Sequence, residues 1–160
     1  MSNLDDPSLD DPVGASLRGH HAHLAPTLGG AATYEPGVAT FSTITDDEAW
    51  PDLAKLLGPG AFADMFSHPE SPPSDWEPVF VLEGRQMIWT GTAPDAEDVV
   101  ELGPDDVPDM LDLAERTKPG PFWPRTIDMG TYLGVRDGGA LVAMAGERLR
   151  PPGWTEISAV

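Results

Sequence analysis

The stretch Tyr132-Leu133-Gly134-Val135-Arg136-Asp137-Gly138-Gly139-Ala140-Leu141-Val142-Ala143-Met144-Ala145-Gly146, with the later run Trp154-Thr155-Glu156-Ile157-Ser158-Ala159-Val160, decides the fold. Two apolar runs flank Asp137-Gly138-Gly139, whose glycines supply the positive φ of a tight hairpin. Pro151-Pro152-Gly153 turns the chain back, and the last run then pairs antiparallel with the second strand. That run is apolar enough to belong inside a sheet, and the sequence stops at Val160 without a turn or cap. The pattern therefore reads as a fold cut before its last elements.

Upstream of the hairpin, Val99-Val100-Glu101-Leu102 reads as a strand, and Pro104-Asp105-Asp106 caps a helix with Val107, Met110, Leu111 and Ala114 on one face. Lys118-Pro119-Gly120-Pro121 ends that helix. Ala93 to Asp98 is a polar, acidic connector and marks a boundary between lobes. Before it, Val79–Leu82 and Gln86–Thr90 flank Glu83-Gly84-Arg85 as two strands around a turn. His68 to Pro78 is a loop, Ala61 to Phe66 a short helix, and Gly58-Pro59-Gly60 the stop of a helix over residues 46–57 that Thr45 caps. Thr33 to Thr43 has a strand-like pattern at Val38, Thr40 and Phe41. Ser16 to Leu28 suits a short helix with Leu17, His21 and Leu24 in step. The Asp-Asp-Pro units of the first dozen residues suit turns and a frayed end. The predicted organisation is a disordered acidic terminus (1–15), an N-terminal α/β lobe (16–97) and a C-terminal domain (98–160). The predicted class is α+β, with a mixed, mainly antiparallel sheet and flanking helices, incomplete at its C-terminal side.

The formal net charge is −18, and it is unevenly placed: residues 1–100 hold 17 acids and 3 bases, residues 101–160 hold 10 acids and 6 bases. Such a field repels phosphate backbones, and no cluster of Lys and Arg offers counterion release or a hold on an anionic leaflet, which argues against nucleic-acid and membrane partners. The sequence contains no cysteine, so disulfides, thiolate metal sites and a cysteine nucleophile are absent. No basic and apolar leader opens it and no run approaches a membrane span, so a cytoplasmic protein is expected. His20-His21-Ala22-His23 is a metal lure, with His20 and His23 on one helix face, but no HExxH pattern or further ligand accompanies it, and no metal is expected.

The run Asp105-Asp106-Val107-Pro108-Asp109-Met110-Leu111-Asp112-Leu113, the turn Thr117-Lys118-Pro119-Gly120-Pro121-Phe122, and Tyr132-Leu133-Gly134-Val135 through Gly146-Glu147-Arg148-Leu149 to Thr155-Glu156-Ile157-Ser158-Ala159-Val160 resemble the first half of a GNAT-superfamily acyl-CoA-dependent N-acyltransferase. The resemblance covers about residues 99–160; residues 1–98 look like the N-terminal extension of a GNAT subgroup. It implies transfer of an acetyl group from acetyl-CoA to a primary amine on a small molecule or peptide. It also implies that Ser158, Ala159 and Val160 receive the acyl-pantetheine arm, with a backbone N–H polarising the thioester carbonyl. Glu156 matches the position of a general base in a number of GNAT enzymes, where partial burial would raise its pKa toward the working pH. The alternative for Glu156 is a carboxylate on an exposed strand face. Phe122, Trp123 and Arg125 fall in the loop that forms the acceptor pocket in the family, or else seal that loop onto the core. Glu147 and Arg148 either pair across the ladder or touch an acceptor.

The pyrophosphate-binding motif of the family, Arg or Gln, two residues, Gly, one residue, then Gly or Ala, is missing from the sequence. Arg136-Asp137-Gly138-Gly139-Ala140 has similar letters but lies between two strands, where it reads as a hairpin turn. A competing reading is a non-catalytic fragment or partner-binding module that self-associates or recruits a strand through an exposed last strand.

Overall fold

The computed structural model describes residues 6–66, 72–92 and 98–160. The chain forms an α+β fold, with two antiparallel sheets among the described residues. Strands β1 (Thr27–Leu28), β2 (Ala31–Thr33) and β3 (Ser42–Ile44) make the N-terminal sheet in the order β1-β2-β3. Strands β4 (Val99–Leu102), β5 (Tyr132–Asp137), β6 (Ala140–Glu147) and β7 (Ile157–Ser158) make the C-terminal sheet in the order β4-β5-β6-β7. No helix among the described residues is long and apolar enough to cross a membrane.

The β5–β6 hairpin forms as its sequence requires. Gly138 and Gly139 stand at φ 56° and 88°, a conformation that matches strand twist and that side chains disfavour. The look-alike at 136–140 is thus a hairpin turn, and the Arg136 guanidinium closes it by donating to the Gly139 carbonyl and to Asp106 and Asp109.

Among the described residues three α-helices pack on these sheets: α1 (Pro12–Leu17), α2 (Trp50–Leu57) and α3 (Val107–Thr117). Before α3, the Asp106 carboxylate accepts the Gly103 N–H at 2.8 Å. Lys118 in the left-handed region ends the helix, its N–H donating to the Ala114 carbonyl. The buried stripe is Met110, Leu113 and Ala114, set against Leu102, Tyr132, Leu141 and Met144. Leu113 rather than Leu111 carries that face. Burying Met110 and Leu113 stabilises the layer by about 1.5–3 kcal/mol each.

Several expectations for the N-terminal part are corrected. Residues 6–15 are ordered, not frayed, because two aspartates act as caps: Asp6 accepts the Ser8 N–H and Asp11 the Gly14 N–H. Val13 is fully buried. The helix expected over 16–28 starts at Pro12 instead and gives way to a 3-10 turn at Ala22–Leu24. The helix expected over 46–57 is a 3-10 turn, Asp47–Ala49, followed by α2, with Asp46 rather than Thr45 capping through the Glu48 N–H. Ala61 to Phe66 forms no helix; the Asp64 main chain instead bridges Phe41 by hydrogen bonds to Thr40 and Ser42. Val79–Leu82 and Gln86–Thr90 form no hairpin and stand largely exposed. Two strands alone cannot offset their ordering entropy, and no third strand among the described residues covers them.

The two lobes also share a core. Val13, Leu17, Leu24, Ala32, Tyr34, Val38 and Ala39 pack with Met129 and Leu149 in one cluster, and Trp123 lies against it. Polar contacts seal the join: Thr126 Oγ1 donates to the Val38 carbonyl at 2.8 Å, the Arg125 N–H donates to the Gly37 carbonyl, and the Ser16 hydroxyl accepts the Arg150 N–H. A Cβ placed on Gly146 would overlap the Cδ1, Cε1 and Cζ atoms of the Tyr132 ring, which lies directly over that strand. Gly146→Ala is therefore expected to lower stability by about 1–3 kcal/mol in urea unfolding; an unchanged midpoint would contradict this packing.

Candidate active site

The β6–β7 turn builds the centre of the site. Gly146 pairs with Ser158 and Glu147 with Ile157, and beyond the ladder the Arg148 N–H donates to the Glu156 carbonyl. Arg148 and Glu156 are thus opposite each other on the sheet face that Tyr132 covers. Their side chains meet in a bidentate ion pair, Nε to Oε2 at 2.8 Å and a terminal guanidinium nitrogen to Oε1 at 2.5 Å. Both side chains are half-buried. The hydrogen bond to Glu156 pushes the Arg148 pKa further up, so the guanidinium stays charged. Glu147 lies outside this pair: its carboxylate accepts the Thr131 N–H and approaches Arg150.

The N-terminal lobe supplies the walls. The Arg148 guanidinium lies over the Phe41 ring at 5.1 Å and the Phe66 ring at 5.8 Å. Tyr34 packs edge-on against Phe41. Burial, reinforced by the charge of Glu156, raises the Tyr34 pKa, and burial pushes that of Tyr132 up to about 12, so both phenols stay protonated. Beneath them lies His21, 1% exposed. Its Nε2 lies 2.7 Å from the Met129 carbonyl and its Nδ1 2.7 Å from the Tyr34 hydroxyl. A carbonyl only accepts, so Nε2 carries the proton and Nδ1 accepts from Tyr34. His20 and His23 are exposed, and among the described residues no three His, Cys, Asp or Glu side chains come together as metal ligands. The signals missed in the sequence are thus Tyr34, Phe41, Phe66 and His21.

The other expected site residues divide. Ser158 is half-buried and shares the Arg148–Glu156 face. Ala159 takes φ 55°, which ends the ladder and turns its methyl toward the α3 core, whereas strand alternation predicts the opposite face. Val160 is exposed. The pairing expected along Trp154–Val160 narrows to Ile157–Ser158, and Ile157 is exposed at the end of the sheet rather than enclosed. Phe122 stacks edge-on against Tyr132 and lines a cavity of about 310 Å³ with Leu111, Ala114, Glu115 and Gly120. Trp123 faces the shared core, and Arg125 is held by Glu35 and Asp128, whose hydrogen bonds raise its pKa. The structure therefore brings Phe122, Ser158 and Glu156 to one face and commits Trp123 and Arg125 to the join between lobes.

Among the described residues, β7 ends the sheet, with β6 as its single paired neighbour. Its other edge presents main-chain groups suited to pairing with the amides of a pantetheine arm. The residues present fit that half of acyl-CoA; for the pyrophosphate, the hairpin at 136–140 provides no cradle at a helix N-terminus.

A solved structure supports the same assignment: a protein from Novosphingobium aromaticivorans DSM 12444, described as an acetyltransferase of the GNAT family, superposes with a TM-score of 0.70. The two are 33% identical over 97% of this chain and 71% of that one. No profile of a known family and no curated protein matches the chain. The chain belongs to the GNAT family.

His21 makes stability depend on pH. Burial lowers its pKa in the folded state below the ordinary 6.5. Between those two values the unfolded chain binds more protons, so folding is weakened on acidification. The contribution is complete above pH 6.5 and is lost as pH falls through 6.5 toward the folded-state value. Urea midpoints should be level from pH 8 to 7 and decline from 6.5 to 5, and His21→Gln should flatten that decline. An equally steep decline in the variant would contradict the assignment.

Proposed function

We propose that the protein is an acetyl-CoA-dependent N-acetyltransferase of the cytoplasm, acting on a primary amine of a small molecule or peptide, with Glu156 as its general base. The observation that carries this reading is the placement of Glu156, just before β7, on the same face as Ser158 within it, ahead of Ala159, which ends the ladder at φ 55°. Kinship with the GNAT-family structure supports the chemistry.

The acceptor arrives as an ammonium ion. Glu156 takes one of its protons, directly or through a water, and frees the nitrogen lone pair. The nitrogen attacks the thioester carbonyl carbon; the C–N bond forms, the C–S bond breaks, and CoA leaves as a thiolate that is reprotonated. Acetyl-CoA supplies the acyl group and the leaving group. This chain's own contribution is to pair the pantetheine amides with the β7 edge and to stabilise the developing oxyanion with a main-chain N–H near Ala159. Phe122, edge-on against the Tyr132 ring that covers Gly146, shapes the acceptor side of the site in this reading.

The test is acetyl-CoA-dependent release of CoA thiol in the presence of a panel of primary amines. Glu156→Gln should lower kcat roughly 10²–10⁴-fold, with the loss smaller at high pH where the free amine is more abundant. Unchanged turnover in the variant would remove Glu156 from the role of base.

A further inference from the structure

The ion pair that holds Glu156 also limits what can approach it. Arg148 is half-buried over the mutually packed rings of Phe41 and Phe66, and its counter-charge is Glu156, bound through both carboxylate oxygens. A simple cationic amine that engaged Glu156 would place a second positive charge beside Arg148 and weaken its pairing, and an unpaired, partly desolvated charge is expensive. No other carboxylate takes over among the described residues: Glu147 is engaged by Thr131 and Arg150, and a neutral phenol such as Tyr34 or Tyr132 can accept a hydrogen bond but cannot balance the charge. A ligand carrying its own carboxylate next to its ammonium has no such cost, because it replaces one internal ion pair with two intermolecular ones.

From this geometry we infer that the acyl acceptor is a zwitterionic α-amino acid with an apolar or aromatic side chain, its carboxylate held by Arg148 and its ammonium by Glu156. The inference rests on the acyl-transfer reading for the identity of the ammonium as acceptor, but the recognition it describes is measurable by itself. Arg148 is suited to it because a guanidinium fork grips a carboxylate bidentately. Phe41 and Phe66 hold the guanidinium in place, and their half-buried rings beside it offer apolar surface to a side chain. Both charged side chains keep roughly a third of their surface in solvent, 29% for Arg148 and 35% for Glu156, so the pair can open toward a ligand without unfolding its surroundings.

The test is calorimetric titration of the full chain with phenylalanine, phenethylamine and 3-phenylpropanoate, which share a ring and differ in charge. Phenylalanine should bind at least tenfold more tightly than either single-charge analogue. Arg148→Gln should erase its advantage over phenethylamine, and Arg148→Lys should restore part of it. Phenethylamine binding as well as phenylalanine, or no binding by any of the three, overturns the inference on the unsubstituted chain, whether or not the Arg148 variants fold. Thiol release separates the two readings. Equal turnover with phenylalanine and phenethylamine overturns zwitterion recognition and leaves acyl transfer standing. Tight phenylalanine binding without thiol release overturns acyl transfer and leaves the recognition standing.

Discussion

A buried histidine fastens this molecule together. His21 spends one ring nitrogen on the Tyr34 hydroxyl and the other on the Met129 carbonyl, so a single side chain links residues 21, 34 and 129. Such a group is tolerated in the interior only when fully paired, and a lost partner would leave a buried polar atom without compensation. It therefore fixes where the N-terminal lobe sits on the C-terminal sheet. The apolar contacts of Val13 and Leu17 with Met129 and Leu149 supply the attraction, and His21 supplies the register.

Function follows from that placement. A four-stranded antiparallel sheet with one helix on its face would carry Arg148 and Glu156 as an ordinary cross-strand ion pair at a strand end, of little energetic weight. The N-terminal lobe changes their surroundings by bringing Tyr34, Phe41 and Phe66 over the pair. Less water reaches the charges and the guanidinium is held by rings, so the interaction between the charges is stronger than in bulk water. The N-terminal lobe is in this sense part of the candidate active site.

Much of the C-terminal half was legible in the sequence because its signals are local. Asp137-Gly138-Gly139 demands a hairpin, Asp106 and Lys118-Pro119 bound a helix, and the run to Val160 carries Glu156 to the start of the fourth strand of that sheet. Arg148 opposite Glu156 follows from the same register. The aromatic walls were not legible, because Phe41 and Phe66 reach Arg148 across 107 and 82 residues with no periodic pattern to announce them. His21 drew attention as one of three histidines, whereas its burial depends on partners 13 and 108 positions away. The acidic terminus looked disordered by composition, yet Asp6 and Asp11 are helix caps, and a cap is recognised by its geometry more than by charge. Val79–Leu82 and Gln86–Thr90 show the reverse case: strand-like sequence without a partner strand does not make a strand.

The central claim is that both lobes form one cooperative unit around His21, and native-state hydrogen exchange tests it most directly. The account predicts that the amides of β2 and of the 3-10 turn at Ala22–Leu24 open at the same free energy as those of β5 and β6, and that His21→Gln lowers all of them together. Exchange of the N-terminal amides at a much lower free energy, with β5 and β6 still protected, would contradict it.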